Sequence, residues 1–182
     1  MSKLASQAMI LTSSTTKEEI KTLHGMTLSS VVSLSVYPKP FLQFNLHLPS
    51  YTSISLKENK YCAIHLMSPT QESSKIARIF AKGNKLKQQD EDGEVFHEMT
   101  TPFNELTDKD YEYYKINDKV EIPILKTGVE SIFICKVDQF IPIHDHEIWI
   151  IEVIKILNFN DKKTGGLLYY NRGFHKIGES VE

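Results

Sequence analysis

Four stretches of the chain bring together residue types that bind or transform ligands. In NLHLPSYTS (45–53), Asn45 stands at the end of a strand-like run, and Ser50 and Thr52 bracket the start of a helix. Short hydroxyls beside unpaired backbone N–H groups at a helix N-terminus form an anion site, helped by the helix dipole. The plainer reading is that Ser50 only caps the helix, since serine is among the commonest N-caps. In PIHDHEIW (142–149), His144 and His146 stand two apart, so on a strand they share a face and could ligate a metal. No Cys or carboxylate cluster at a recognisable spacing supplies the remaining ligands, so no metal is expected. A single histidine in a cleft or at a strand end suits this segment better, and a surface turn with ordinary histidines is the alternative.

LLYYNRGFHKIG (167–178) combines two Tyr, an Arg, a Phe and a His. Such a group can stack on a planar ligand and pair with its phosphates. It can equally be an aromatic anchor for the chain end. The fourth stretch, HGMTLSSVVSLSV (24–36), reads as a strand in which Leu28, Val32, Leu34 and Val36 alternate. Thr27, Ser29, Ser33 and Ser35 line its other face, and Ser30 sits within the apolar row. A strand satisfies its backbone in the ladder, so these hydroxyls call for something to face. No P-loop, G-x-G-x-x-G, G-x-S-x-G or Cys–His nucleophile pair is present.

The elements that must position these residues are mostly strands. AMILTSS (8–14), KPFLQFNLHL (39–48), YCAIHLM (61–67), KVEIPIL (119–125), SIFICKV (131–137), EIWIIEVIKIL (147–157) and LLYY (167–170) all read as sheet. PSYTSISLKENK (49–60) opens a short helix. SPTQESSKIARIFAKG (68–83) is a second one, with Ser68 as its expected N-cap, Pro69 in the first helical position, Gln71 at capping-box spacing and Gly83 at its end. KQQDEDGE (87–94) is expected to be a solvated loop and NELTDKDYEYY (104–114) a short helix. Many strands with two or three short helices indicate a mainly β or α+β domain, barrel-like rather than built of βαβ units.

The totals narrow the classes. The chain has 182 residues, enough for one domain with a continuous core, and its 41% hydrophobic and 24% charged residues are those of a folded globular protein. A formal net charge of −2 argues against a nucleic-acid binder. No apolar run reaches the length of a membrane span. Cys62 and Cys135 each sit inside an apolar strand and are expected to be buried free thiols. The first residues carry one Lys and no Arg, unlike a targeting peptide. A cytoplasmic location is the expectation, or a mitochondrial one if a targeting segment has been removed.

In order along the chain, HGMTLSSVVSLSVYPKPFLQFNL, PSYTSISLKENKYCAIHLM, KIARIFAKG, IPILKTGVESIFICKV, HDHEIWIIEV and LLYYNRGFH resemble the successive motifs of the flavin reductase-like family. No single motif is specific, but six in the right order are. The resemblance implies an FMN-binding split β-barrel with a few short peripheral helices, spanning residues 1–182 as one domain and pairing as a homodimer. It implies an NAD(P)H-dependent flavin oxidoreductase that uses FMN, or FAD, with hydride passing from the nicotinamide to flavin N5. The alternative is a non-catalytic FMN-binding protein that keeps the fold.

By resemblance, Thr27, Leu28, Ser29 and Ser30 match positions beside the isoalloxazine, whose polar edge asks for donors and acceptors. Asn45, Ser50 and Thr52 match positions holding the ribityl and phosphate part. His146 matches a histidine near the nicotinamide, and Tyr170 and Arg172 match the segment that closes the site. Two departures stand out: His144 and Ile151 occupy positions where the family pattern has glycine. Added side chains beside the cleft would narrow access for a nicotinamide, which favours the non-catalytic alternative.

Overall fold

The computed structural model describes residues 3–17, 19–82, 85–89, 95–98, 101–159 and 163–181. The first strands are β1 (Ser6–Gln7), β2 (Met9–Lys17), β3 (Ile20–Leu28), β4 (Val32–Ser35) and β5 (Phe41–His47). Helix α1 (Tyr51–Asn59), β6 (Tyr61–Met67) and helix α2 (Gln71–Phe80) follow. A hairpin of β7 (Lys85–Gln89) and β8 (Val95–Glu98) then precedes a 3-10 turn at Pro102–Glu105. The remaining strands are β9 (Tyr111–Lys115), β10 (Glu121–Leu125), β11 (Val129–Ile143), β12 (His146–Asn158), β13 (Leu168–Tyr170) and β14 (Gly173–His175).

Seven strands form one antiparallel sheet in the order β3-β2-β6-β11-β12-β5-β4. Its two edges, β3 and β4, are joined by residues 29–31 alone. Laid flat, seven strands at the usual spacing would hold those edges ~29 Å apart. Four steps of extended chain span at most ~14 Å. The sheet therefore curls until its edges meet, and the fold is a split β-barrel. The stretch 24–36 is thus not one strand but the end of β3, a crossing and the start of β4. The crossing shifts the alternation by one residue: Leu28 and Val31 are buried, whereas Val32, Leu34 and Val36 face outward.

Two apolar clusters fill the fold. Ile10 belongs to one and its neighbour Leu11 to the other, because successive side chains on β2 point to opposite faces. One cluster gathers Ala77, Phe80 and Ile76 of α2 against Ile122, Ile124 and Leu125 of β10. The other holds Phe44, Leu46, Leu56, Ile64, Trp149 and Ile151. Cys62 and Cys135, direct partners across β6 and β11, are buried there as free thiols. Ile151 is also fully buried, so it does not reach a cleft, and its departure from the family glycine has no bearing on access.

Strand β2 carries hydroxyls that are buried and bonded: Thr12 donates to the Pro123 carbonyl, Ser13 to Ser55 Oγ at 2.9 Å, and Ser14 to the Glu121 carbonyl. The Thr12 and Ser14 bonds hold β10 against β2, and the Ser13 bond ties α1 to it. Gly25 on β3 serves packing: a Cβ there would stand 2.5 Å from Phe80 Cε1, so its absence lets α2 lie against the strand.

Three local expectations change. The N-cap of α2 is Thr70, not Ser68: Thr70 Oγ1 accepts from the Ser73 N–H, while the Ser68 N–H is held by the Gly128 carbonyl in the strand–loop pairing. Gly83, its expected end, and residues 90–94 of the expected loop lie outside the described residues, whereas 87–89 belong to β7. The helix expected over 104–114 is the 3-10 turn plus β9. Asp110 Oδ2 accepts from the Thr107 N–H at 2.8 Å, an alternative to helical bonding, and the Tyr-rich run pairs with β10.

Candidate functional site

The residues with chemical potential gather at one end of β5. Asn45 and His47 are two apart and exposed, with Leu46 buried between them, so both stand on the outer face of the strand. At one end of this row the Asn45 N–H donates to Ser30 Oγ at 3.0 Å, which ties the crossing between β3 and β4 to β5. At the other end His47 is the direct partner of His146 on β12, and the two rings meet edge to face at 4.9 Å. Ser30, Asn45, His47 and His146 thus form a continuous polar row. Three residues beyond His47, the chain reaches Ser50 and the start of α1.

Asp145 organises the histidine end. Its Oδ1 accepts from His146 Nδ1 at 2.8 Å, and its Oδ2 lies 3.4 Å from His47 Nε2. The Asp145 carbonyl also accepts from the Leu48 N–H at 2.8 Å. The His146 hydrogen bond, backbone hydrogen bonding and the neighbouring histidines hold the Asp145 carboxyl below its usual pKa, against a small opposing effect of burial. An acceptor-only carboxylate fixes the proton on Nδ1 of His146, which leaves Nε2 as a lone-pair acceptor open to a ligand. His144 does not share a strand face with His146, because it stands in the two-residue turn between β11 and β12 with φ +52°. That conformation favours glycine and accounts for the family's residue there. Among the described residues, no group of three or more His, Cys, Asp and Glu is arranged to hold a metal.

At α1, Ser50 is the N-cap: its Oγ accepts from the Ser53 N–H at 3.1 Å. The cap reading is therefore correct as geometry, and the Ser50 hydroxyl proton is still available to an anion. Thr52 lies in the first turn, is only 6% exposed, and its hydroxyl makes no hydrogen bond among the described residues. An unpaired hydroxyl beside free helix N–H groups fits an anionic ligand.

The remaining expected residues are placed less uniformly. Thr27 Oγ1 donates to the Ala77 carbonyl of α2 at 2.7 Å, leaving its lone pairs and backbone, while Leu28 is buried and Ser29 exposed. Tyr170 and Arg172 belong to the β13–β14 hairpin, whose turn residues Asn171 and Arg172 both have positive φ. Tyr170 packs on His175, and Phe174 lies 5.2 Å under the Arg78 guanidinium of α2. Among the described residues, no hydrogen bond, ion pair or ring contact joins this hairpin to the polar row; α2 stands between, touching both Thr27 and Phe174.

Three residues of this region were not singled out from sequence: His47, Asp145 and Glu147. Glu147 is 2% exposed, and its in-phase spacing with Trp149 and Ile151 on the buried face of β12 was the available signal.

Comparison with known proteins agrees with the fold. The Flavin reductase like domain family matches residues 1–178. Flavin reductase HpaC complexed with NADP+ is 24% identical, with a TM-score of 0.69 over 97% of this chain and 93% of that one. The NADH:FAD oxidoreductase SgcE6 of Streptomyces globisporus C-1027 is 16% identical, with a TM-score of 0.71 over 100% and 85%. SgcE6 is also solved with NAD and FAD fragments. A flavin reductase domain protein from Arthrobacter sp. FB24 is 20% identical, with a TM-score of 0.68 over 100% and 93%. The split barrel and the near-complete family match place this chain in the flavin reductase like domain family, a family of oxidoreductases.

Proposed function

We propose that the protein is an NAD(P)H-dependent flavin oxidoreductase that binds FMN along the polar row from Ser30 to α1. The observation that carries this reading is the Thr52 hydroxyl, unpaired among the described residues at the N-terminus of α1, at the end of a row of exposed and half-buried donors and acceptors. In that reading Ser50, Thr52 and the first N–H groups of α1 hold the phosphate, and Asn45 meets the ribityl chain. Thr27, Leu28, Ser29 and Ser30 lie at the polar edge of the ring, whereas Tyr170 and Arg172, on a hairpin that α2 separates from the row, have no part in this site. When bound, flavin supplies a hydride-accepting N5, which no side chain can offer. The chain's part is positioning and proton handling: His146, oriented by Asp145, presents Nε2 to the incoming nicotinamide. The pyridine nucleotide and flavin fragments bound by the related HpaC and SgcE6 support this assignment.

Dimerisation belongs to the same proposal. Val36 is 79% exposed, Tyr37 89%, and Val32 and Leu34 about half, all on or beside the edge strand β4. An apolar sheet edge left open invites pairing with another chain, and a second copy would cover it. A second reading, FMN binding without catalysis, is favoured by the exposed His144 side chain in the turn beside His146. Titration with FMN, followed by flavin fluorescence and by light scattering, tests the binding claim. Saturable quenching by a particle of two chains is expected. A monomer that leaves FMN fluorescence unchanged would overturn both parts.

A further inference from the structure

Glu147 is a buried acid whose three partners come from two elements. Ser53 Oγ of α1 donates to its Oε2 at 2.6 Å, Trp149 Nε1 donates to the same oxygen at 3.1 Å, and Lys57 Nζ of α1 donates to Oε1. Burial alone would push the carboxyl pKa up; the Lys57 and Ser53 hydrogen bonds, the Lys57 charge and Trp149 outweigh it and hold it low. Lys57 also lies 4.6 Å over the Phe140 ring, which itself stacks on Trp149.

Burying the Glu147 carboxylate costs desolvation even with Lys57 half-buried beside it, and apolar residues of similar size often fill such a position with little loss of stability. Packing therefore does not require a carboxylate here. What a carboxylate adds is direction. Ser53 is bonded twice: its hydroxyl to Glu147 and its backbone N–H to the Ser50 cap. The path Glu147–Ser53–Ser50 thus runs from the residue next to His146 to the first turn of α1. His146 points outward from β12, and Glu147 points inward beneath α1.

We propose that Glu147 is a positioning residue: through Ser53 and Lys57 it fixes the N-terminus of α1 against the His47–His146 end of the polar row, setting the place of the ligand's phosphate. This rests on the flavin reading above. Because Glu147 and Lys57 neutralise each other, the pair steers the helix and contributes no net charge to the ligand.

The test compares FMN with riboflavin, which has the same ring and ribityl chain without phosphate, in the intact protein. Wild type is expected to bind FMN more tightly than riboflavin. Glu147→Gln is expected to weaken FMN about tenfold, the effect of losing one hydrogen bond to a charged group, with riboflavin within about twofold. Ser53→Ala, which removes only the hydroxyl link, carries the same expectation at about threefold and serves if Glu147→Gln does not fold. Equal weakening of both ligands would reduce Glu147 to a structural role and overturn the inference. So would unchanged FMN affinity, or tighter FMN binding from a released Lys57. Wild type that binds the two ligands equally would instead locate the failure in the phosphate assignment, and the inference falls with it.

Discussion

Acidification sets the protein against a single buried ring. His65 on β6 is fully buried; the Leu125 N–H donates to its Nε2 at 3.0 Å, so the ring proton must sit on Nδ1, 2.8 Å from the Ile10 carbonyl. Both nitrogens are thus in use, and a second proton would turn Nε2 toward another donor. Burial lowers the pKa from 6.5 to about 4, opposed in part by the Ile10 hydrogen bond. With the folded value below the unfolded one, the unfolded chain binds more protons between them. The stabilisation is complete above the unfolded pKa of 6.5 and is lost as pH falls toward 4. The full loss is ~3 kcal/mol, and ~2 kcal/mol of it falls between roughly pH 7 and pH 5, before most carboxylates titrate. His24, also lowered chiefly by burial, adds to the same slope. Urea unfolding at the two pH values, in wild type and in His65→Gln, measures this. The variant should be less stable at neutral pH and flatter in its pH response. A variant as steep as wild type would refute the assignment.

Further consequences concern the site and the packing. Ser50→Ala with Thr52→Ala should weaken FMN by at least about tenfold and cost ~1 kcal/mol of stability through the lost cap; unchanged affinity by fluorescence titration would show the phosphate misplaced. His146→Gln should slow flavin reduction by about 10²-fold or more in stopped flow with FMN affinity little changed, as expected for a proton-handling group; an unaffected rate would remove it from the chemistry. Gly25→Val should cost about 1–3 kcal/mol by driving a side chain into Phe80, with partial recovery in Phe80→Leu. If thermal melts show no loss, α2 does not press on β3 as described.

Much of the fold was readable because it rests on local alternation. Phe44 and Leu46 against Asn45 and His47 gave both the strand β5 and its exposed polar face. The misreadings have non-local causes. Val32, Leu34 and Val36 continue the pattern of Leu28 on paper, but the crossing between the sheet's two edges shifts the phase. Ser68 and Thr70 are equally good caps by type, and the Gly128 carbonyl decides between them. The same division holds in the site. Ser50 was legible as a cap from its place before a helix. The partnership of His47 with Asp145 and His146 depends on β5 lying beside β12, which no short window contains. Glu147 lies in phase with Trp149 and Ile151 on the inner face of β12, but its partners Ser53 and Lys57 come from α1, about 90 residues away, which no local pattern reveals.

The central claim, pyridine-nucleotide-driven reduction of a flavin held on this row, is tested most directly by one anaerobic experiment. FMN is mixed with the protein, and its visible absorption is followed as NADH, and then NADPH, is added. Rapid protein-dependent bleaching with at least one donor is the predicted result. FMN that binds yet stays yellow with both donors would contradict it and leave a flavin-binding protein without this activity.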